Sequence, residues 1–108
     1  MAGVTVTLTA VDNGKVVDVV EGEAFALRLR ENASTGYRWE FDGLDRTYIE
    51  AQEGESVRQA DPSGTGGSTR WILLPRKRGT VEVRLKRWRQ WEGEESVRER
   101  FAVTLKIR

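Results

Sequence analysis

The chain has 108 residues, with 18 Lys and Arg against 17 Asp and Glu, and it contains neither Cys nor His. This composition excludes a thiolate nucleophile, an imidazole base and the nitrogen and sulfur ligands of most zinc sites. A net charge of +1 provides no overall field that would attract nucleic acid or an anionic membrane. We therefore expect one domain over residues 1–108 that has no metal or cofactor, is not an enzyme and acts by binding.

The sequence also bears on location. No apolar run approaches the roughly 18 residues that span a bilayer, and Met1 to Gly3 leads directly into a strand pattern without a basic leader. We expect a soluble protein with no signal peptide in this sequence. It would be periplasmic or secreted if a leader had been removed, and cytoplasmic otherwise.

Alternating apolar and polar residues, the period of a half-buried strand, recur along the chain. The alternating patterns cover residues 4–8, 25–30, 81–85 and 101–107, and shorter or continuous apolar runs cover residues 16–20, 37–41 and 71–74. No window of helical length has a 3.6-residue apolar face. The sequence therefore predicts an all-β fold of about seven antiparallel strands, arranged as an immunoglobulin-like sandwich, with a small barrel as the alternative.

Three segments between these patterns are candidates for binding. The first loop is Asn32, Ala33, Ser34, Thr35, Gly36 and Tyr37. Asn32 is suited to an Asx turn, the Ser and Thr hydroxyls can face outward, and Gly36 permits a backbone conformation that a Cβ forbids. This composition favours a stiff, exposed loop, although an ordinary connection explains it equally well when it is considered alone.

The second loop, Gly64, Thr65, Gly66 and Gly67, lies in a weakly patterned stretch from Glu53 to Ser68. Loops of this length in compact domains are usually binding loops or mobile ones. Successive glycine N–H groups can cradle an anion, but a phosphate-binding P-loop needs a Lys and a following helix. Because a strand pattern follows here, the sequence favours a loop whose backbone approaches another surface.

The third loop, Arg89, Gln90 and Trp91, ends a segment from Arg84 in which cations alternate with tryptophans. Single-stranded nucleic acid is bound by such a combination of charge and stacking. Glu92, Glu94 and Glu95 follow at once, however, and would repel a phosphate backbone. An exposed Trp beside an Arg is typical of a protein interface.

Taken together, the three loops resemble those of the chagasin-like inhibitors of papain-family cysteine peptidases. These inhibitors carry an Asn-Pro-Thr-Thr-Gly-Tyr/Phe loop, a Gly-x-Gly-Gly loop and an Arg-Pro-Trp/Phe loop, in this order, on an immunoglobulin-like sandwich. The resemblance covers the whole chain. Two prolines are replaced, by Ala33 and Gln90, and because Pro restricts the backbone we expect looser loops and weaker or more selective binding.

The resemblance implies a reversible, tight-binding inhibitor that acts as a monomer and binds one cathepsin L-like peptidase, with neither nucleic acid nor membrane as a partner. The three loops would occupy the active-site cleft, with Ser34 and Thr35 nearest the catalytic Cys and His of the peptidase and Trp91 on the primed side. All 13 loop residues would then contact the peptidase. The alternatives are an immunoglobulin-like adhesion or carbohydrate-binding module and a small single-stranded nucleic-acid-binding β-domain.

Overall fold

The computed structural model describes residues 6–31, 35–51, 57–60 and 67–108, with the backbone alone described for 57–60. These residues form nine strands, joined by turns and short 3-10 segments. The strands are β1 (Thr7–Leu8), β2 (Val16–Val19), β3 (Phe25–Glu31), β4 (Arg38–Phe41), β5 (Ile49–Ala51), β6 (Val57–Ala60), β7 (Gly67–Pro75), β8 (Gly79–Trp88) and β9 (Glu99–Ile107). Within the described ranges, no helix has the length and apolar character needed to cross a membrane.

The strands form two mixed sheets that pack as a sandwich. One sheet has the order β1-β3-β7-β5, with β6 also paired to β7, and the other has the order β2-β9-β8-β4. Buried apolar side chains from both sheets form one cluster between them. The predicted all-β sandwich is therefore confirmed.

Period-2 alternation explains this core, because every second side chain of a strand points to the same face. On β9 the residues predicted to face inward are all buried, and the same holds for alternate residues of β3 and β8. The buried apolar residues that follow this alternation on the three strands are Phe25, Leu27, Leu29, Val81, Val83, Leu85, Phe101, Val103, Leu105 and Ile107.

Strand number and direction differ from the prediction. The described residues hold nine strands instead of about seven, and two strand pairs, β1 with β3 and β2 with β9, are parallel. Alternation indicates which face of a strand is buried but carries no information on the direction of its neighbour. The added strands are β5, which has three residues, and β6, which lies inside the stretch from Glu53 to Ser68 that was predicted to be a loop.

The register of the strands brings three connections to one end of the sandwich. The last residue of β3, Glu31, pairs with the first residue of β7, Gly67. The first residue of β4, Arg38, pairs with the last residue of β8, Trp88. The first loop joins β3 to β4 and the third follows β8. The second loop leads into β7, and its last predicted residue, Gly67, is the first residue of that strand. All three therefore begin or end at this end. We call it the loop end.

Candidate functional site

The described part of the loop end contains seven of the 13 predicted site residues. They are Thr35, Gly36, Tyr37, Gly67, Arg89, Gln90 and Trp91. The other six lie outside the described residues: Asn32, Ala33, Ser34, Gly64, Thr65 and Gly66. The first and third loops are in direct contact, and Gly67 lies beside the base of the first loop through its pairing with Glu31.

The Arg89 side chain joins the third loop to the first. Its Nε and Nη2 both donate hydrogen bonds to the carbonyl oxygen of Thr35, at 3.1 and 2.9 Å. Its Nη1 donates to Oε2 of Glu92 at 3.0 Å. The planar guanidinium thus spans a carbonyl of one loop and a carboxylate of the other, a fork geometry that an ammonium does not offer.

A close apolar approach lies beside this contact. Gly36 has φ +79°, and a Cβ built on it would lie 2.9 Å from Cη2 and 3.3 Å from Cζ2 of Trp91. Glycine is therefore required twice, for the left-handed backbone and for the space taken by the indole. Trp91 nevertheless remains 72% exposed, so most of its ring faces solvent at the loop end.

Tyr37, the last residue of the first loop, points into the protein and is surrounded by cations. It is 7% exposed, and the guanidinium carbons of Arg89, Arg98 and Arg87 lie 4.4, 4.5 and 5.5 Å from its ring centroid. Contacts of this kind are attractive because the face of the ring carries negative charge. Tyr37 thus supports the loop from below and does not present its ring to solvent.

Ser96 holds the base of the third loop. The backbone N–H of Arg89 donates to Ser96 Oγ at 3.0 Å, and this hydroxyl lies 2.9 Å from the carbonyl oxygen of Arg89 and 2.6 Å from that of Gly93. Between them, Gln90–Glu92 forms one turn of 3-10 helix, and Gln90 is exposed beside Trp91. This tight turn therefore places the Trp91 side chain on the surface of the loop end.

A buried carboxylate connects β3, β4 and β7 below the loops. Glu31, 6% exposed, accepts hydrogen bonds from the backbone N–H of Trp39 on β4 at 2.8 Å and from the hydroxyl of Thr69 on β7 at 2.7 Å. The Trp39 indole N–H also donates to the carbonyl oxygen of Arg30 at 2.9 Å. These bonds fix both ends of the first loop and the strand that follows the second.

Neither Glu31 nor Ser96 was predicted from the sequence. For Glu31 a signal exists, because it continues the inward-facing series of Leu27 and Leu29 at a spacing of two residues, and a carboxylate there must be hydrogen-bonded when buried. Ser96 carries no comparable signal, since its role depends on the turn that brings it back to Arg89.

The cations of the segment from Arg84 to Arg89 lie beside carboxylates. Ion pairs join Arg84 to Glu82, Lys86 to Glu94, Arg87 to Glu99 and Arg89 to Glu92. The ammonium of Lys86 also lies 3.6 Å from the centroid of Trp88, whose indole N–H donates to Glu40. A strand of nucleic acid would have to displace these partners before using either charge or stacking, which argues against that alternative.

Comparison with known proteins identifies the family. The model of the chagasin family of peptidase inhibitors, I42, matches residues 18–105. The chain belongs to this family. Its members are peptidase inhibitors, which confirms that the chain is an inhibitor and not an enzyme.

One curated relative and two solved structures match nearly the whole chain. Chagasin of Trypanosoma cruzi is 28% identical over an alignment of 104 residues, and the alignment covers 92% of this chain and 94% of that protein. The crystal structure of a cysteine protease inhibitor from Entamoeba histolytica superposes with a TM-score of 0.83 at 22% identity, over 95% of this chain and 94% of the other. The structure of PbICP-C in complex with falcipain-2 superposes with a TM-score of 0.61 at 13% identity, over 95% and 99%. At these identities the two structures support the fold alone.

Proposed function

We propose that this protein inhibits papain-family cysteine peptidases reversibly, by inserting its loop end into the active-site cleft. The observation that carries the proposal is the joined arrangement of the first and third loops, in which a 72% exposed Trp91 stands beside the exposed Thr35. Family membership supplies the class of target, since the chain belongs to the chagasin family of peptidase inhibitors.

The chemistry of the loop end suits a peptidase cleft. A cleft of this class has a polar centre, with a catalytic Cys and His, between less polar flanks. Polar backbone and hydroxyl groups of the first loop can meet that centre, while the indole of Trp91 supplies apolar area at a flank. Aromatic side chains that project from a rigid support are the residues that most often dominate binding energy.

The mechanism we propose is steric. The inhibitor fills the cleft and excludes substrate, so none of its own peptide bonds has to be cleaved. One inhibitor would bind one peptidase as a monomer, through the end of the sandwich that carries the 13 predicted loop residues. Among these, the buried Tyr37 and the inward-directed Arg89 would support the residues that touch the peptidase. PbICP-C, which shares the fold, has been seen in complex with falcipain-2, and this supports a protein partner of the same kind here.

Inhibition of papain and of a cathepsin L-type peptidase tests the proposal. Active-site-titrated enzyme is mixed with increasing inhibitor, and residual hydrolysis of a fluorogenic peptide is followed, with a serine peptidase as the control enzyme. We expect activity to fall to zero at one equivalent, to return after dilution, and the inhibitor to stay intact. Full activity of several papain-like peptidases at micromolar inhibitor would contradict the proposal and favour another binding module.

A further inference from the structure

We propose that Arg89 is a positioning residue that locks residues 35–37 of the first loop and the third loop into one rigid unit before any peptidase is bound. This inference rests on the proposed function for its effect on inhibition, but the locking itself concerns the free protein. Neither the first loop nor the third contains a proline, so the conformation of these loops has to be held by contacts.

The contacts of Arg89 reach three different parts of the loop end. Two of its nitrogens donate to the Thr35 carbonyl oxygen, a third donates to Glu92, and its guanidinium carbon lies 4.4 Å from the centroid of the Tyr37 ring. The side chain is only 33% exposed, and the Thr35 carbonyl and Glu92 account for three of its N–H groups. Arg89 is thus directed into its own protein and not outward toward a partner.

The position of Trp91 depends on the same lock. Its indole lies against the backbone of Gly36, the residue next to Thr35, with Nε of Arg89 3.7 Å from the place a Gly36 Cβ would take. If the Thr35 carbonyl were released, the surface that supports the indole would move with it. The lock would therefore reduce the entropy that the free loops lose when they bind, which is how preorganisation strengthens binding.

Arg98 provides a matched control. Its guanidinium carbon lies 4.5 Å from the Tyr37 centroid, compared with 4.4 Å for Arg89. Arg89, in addition, donates the two hydrogen bonds from Nε and Nη2 to the Thr35 carbonyl oxygen. Arg89→Lys and Arg98→Lys each keep the charge and remove a guanidinium that lies beside the same ring. Only Arg89→Lys also removes the two-pronged hydrogen bond that joins the loops.

The experiment combines two readouts on the full chain. Backbone order of residues 35–37 and 90–92 in the free protein is measured by heteronuclear NOE, and inhibition constants for papain are measured on the same variants. We expect Arg89→Lys to lower the NOE values in both loops and to weaken inhibition about tenfold, the range expected for a lost charge-assisted hydrogen bond. Arg98→Lys should leave the loop order unchanged and weaken inhibition less than about threefold, since the energy of a cation–π contact is smaller.

The other outcomes separate the two proposals. Unchanged loop order in Arg89→Lys would overturn the inference, whether or not inhibition fell, because a loss of inhibition alone would mean that Arg89 contacts the peptidase directly. Equal loss of order in both variants would also overturn it, because the shared contact with Tyr37 would then be the cause. If the wild-type chain did not inhibit papain but Arg89→Lys still loosened both loops, the lock would stand and the proposed function would fail.

Discussion

Gly36 is needed at the loop end for two reasons, its left-handed backbone and the space that it leaves for the Trp91 indole. A comparison of Gly36→Ala with Gly14→Ala separates these two effects. Gly14 has the same φ, +79°, but a Cβ added there meets nothing within 4 Å. Gly14→Ala therefore introduces the backbone strain alone. Gly36→Ala introduces the same strain together with a methyl group 2.9 Å from the Trp91 indole.

The two variants should lose similar stability. A left-handed conformation costs an L-residue roughly 1–2 kcal/mol, and the lower entropy of the unfolded Ala chain offsets about 0.4–1 kcal/mol of this. The net loss is about 1 kcal/mol, or a fall in Tm of roughly 4–8 °C for a domain of this size. The clash at Gly36 should add little to the free energy of unfolding, because the exposed indole can swing aside into solvent.

Inhibition should distinguish them. Displacing Trp91 removes the orientation that makes it an anchor, and we expect Gly36→Ala to weaken inhibition of papain about tenfold or more, within the range of an interface hot spot. Gly14→Ala should inhibit as the wild type does. Tm is measured by circular dichroism and the inhibition constant by residual hydrolysis of a fluorogenic peptide. Equal inhibition constants for the two variants would refute the reasoning that joins Gly36 to Trp91.

Three further substitutions test other parts of the account. Trp91→Ala should weaken inhibition by about 2 kcal/mol or more and change the free energy of unfolding by less than about 0.5 kcal/mol; unchanged inhibition with normal folding would exclude the anchor role. Glu31→Ala should lower the urea-measured free energy of unfolding by about 2 kcal/mol, because the buried donors of Trp39 and Thr69 lose their acceptor; wild-type stability would show that the carboxylate is dispensable. Ser96→Ala should weaken inhibition while lowering stability by only about 1 kcal/mol, and an inhibition constant equal to that of the wild type would mean that the third loop keeps its shape without this hydroxyl.

The sequence predicts most of the fold because a strand with one buried face alternates apolar and polar residues. β9 is the clearest case, since a large apolar residue recurs at every second position from Phe101 to Ile107 and every predicted inward residue is buried. Strand direction could not be predicted in the same way, because alternation does not indicate the direction of the neighbouring strand. The parallel pairing of β2 with β9 depends on the path of the chain between the two sheets. The three residues of β5 are too few to show a period.

The loop end was predictable in composition but not in its internal contacts. Gly36 was expected to permit a backbone conformation that a Cβ forbids, and its φ of +79° lies in the left-handed region that favours glycine. The bond from Arg89 to the Thr35 carbonyl joins residues 54 positions apart, and no local pattern encodes such a pair. The burial of Tyr37 among three arginines likewise depends on the register of β4 with β8, which brings residues 38 and 88 together.

Binding to papain with its cleft open or blocked tests the central claim most directly. Wild-type inhibitor is titrated by isothermal calorimetry into active papain, and into papain whose catalytic Cys carries a covalent peptide-like blocker that fills the substrate cleft. If the loop end occupies the cleft, binding to active papain should be one-to-one and binding to the blocked enzyme should be undetectable at the same concentrations. Equal affinity for both forms would contradict the account, because it would place the contact outside the cleft.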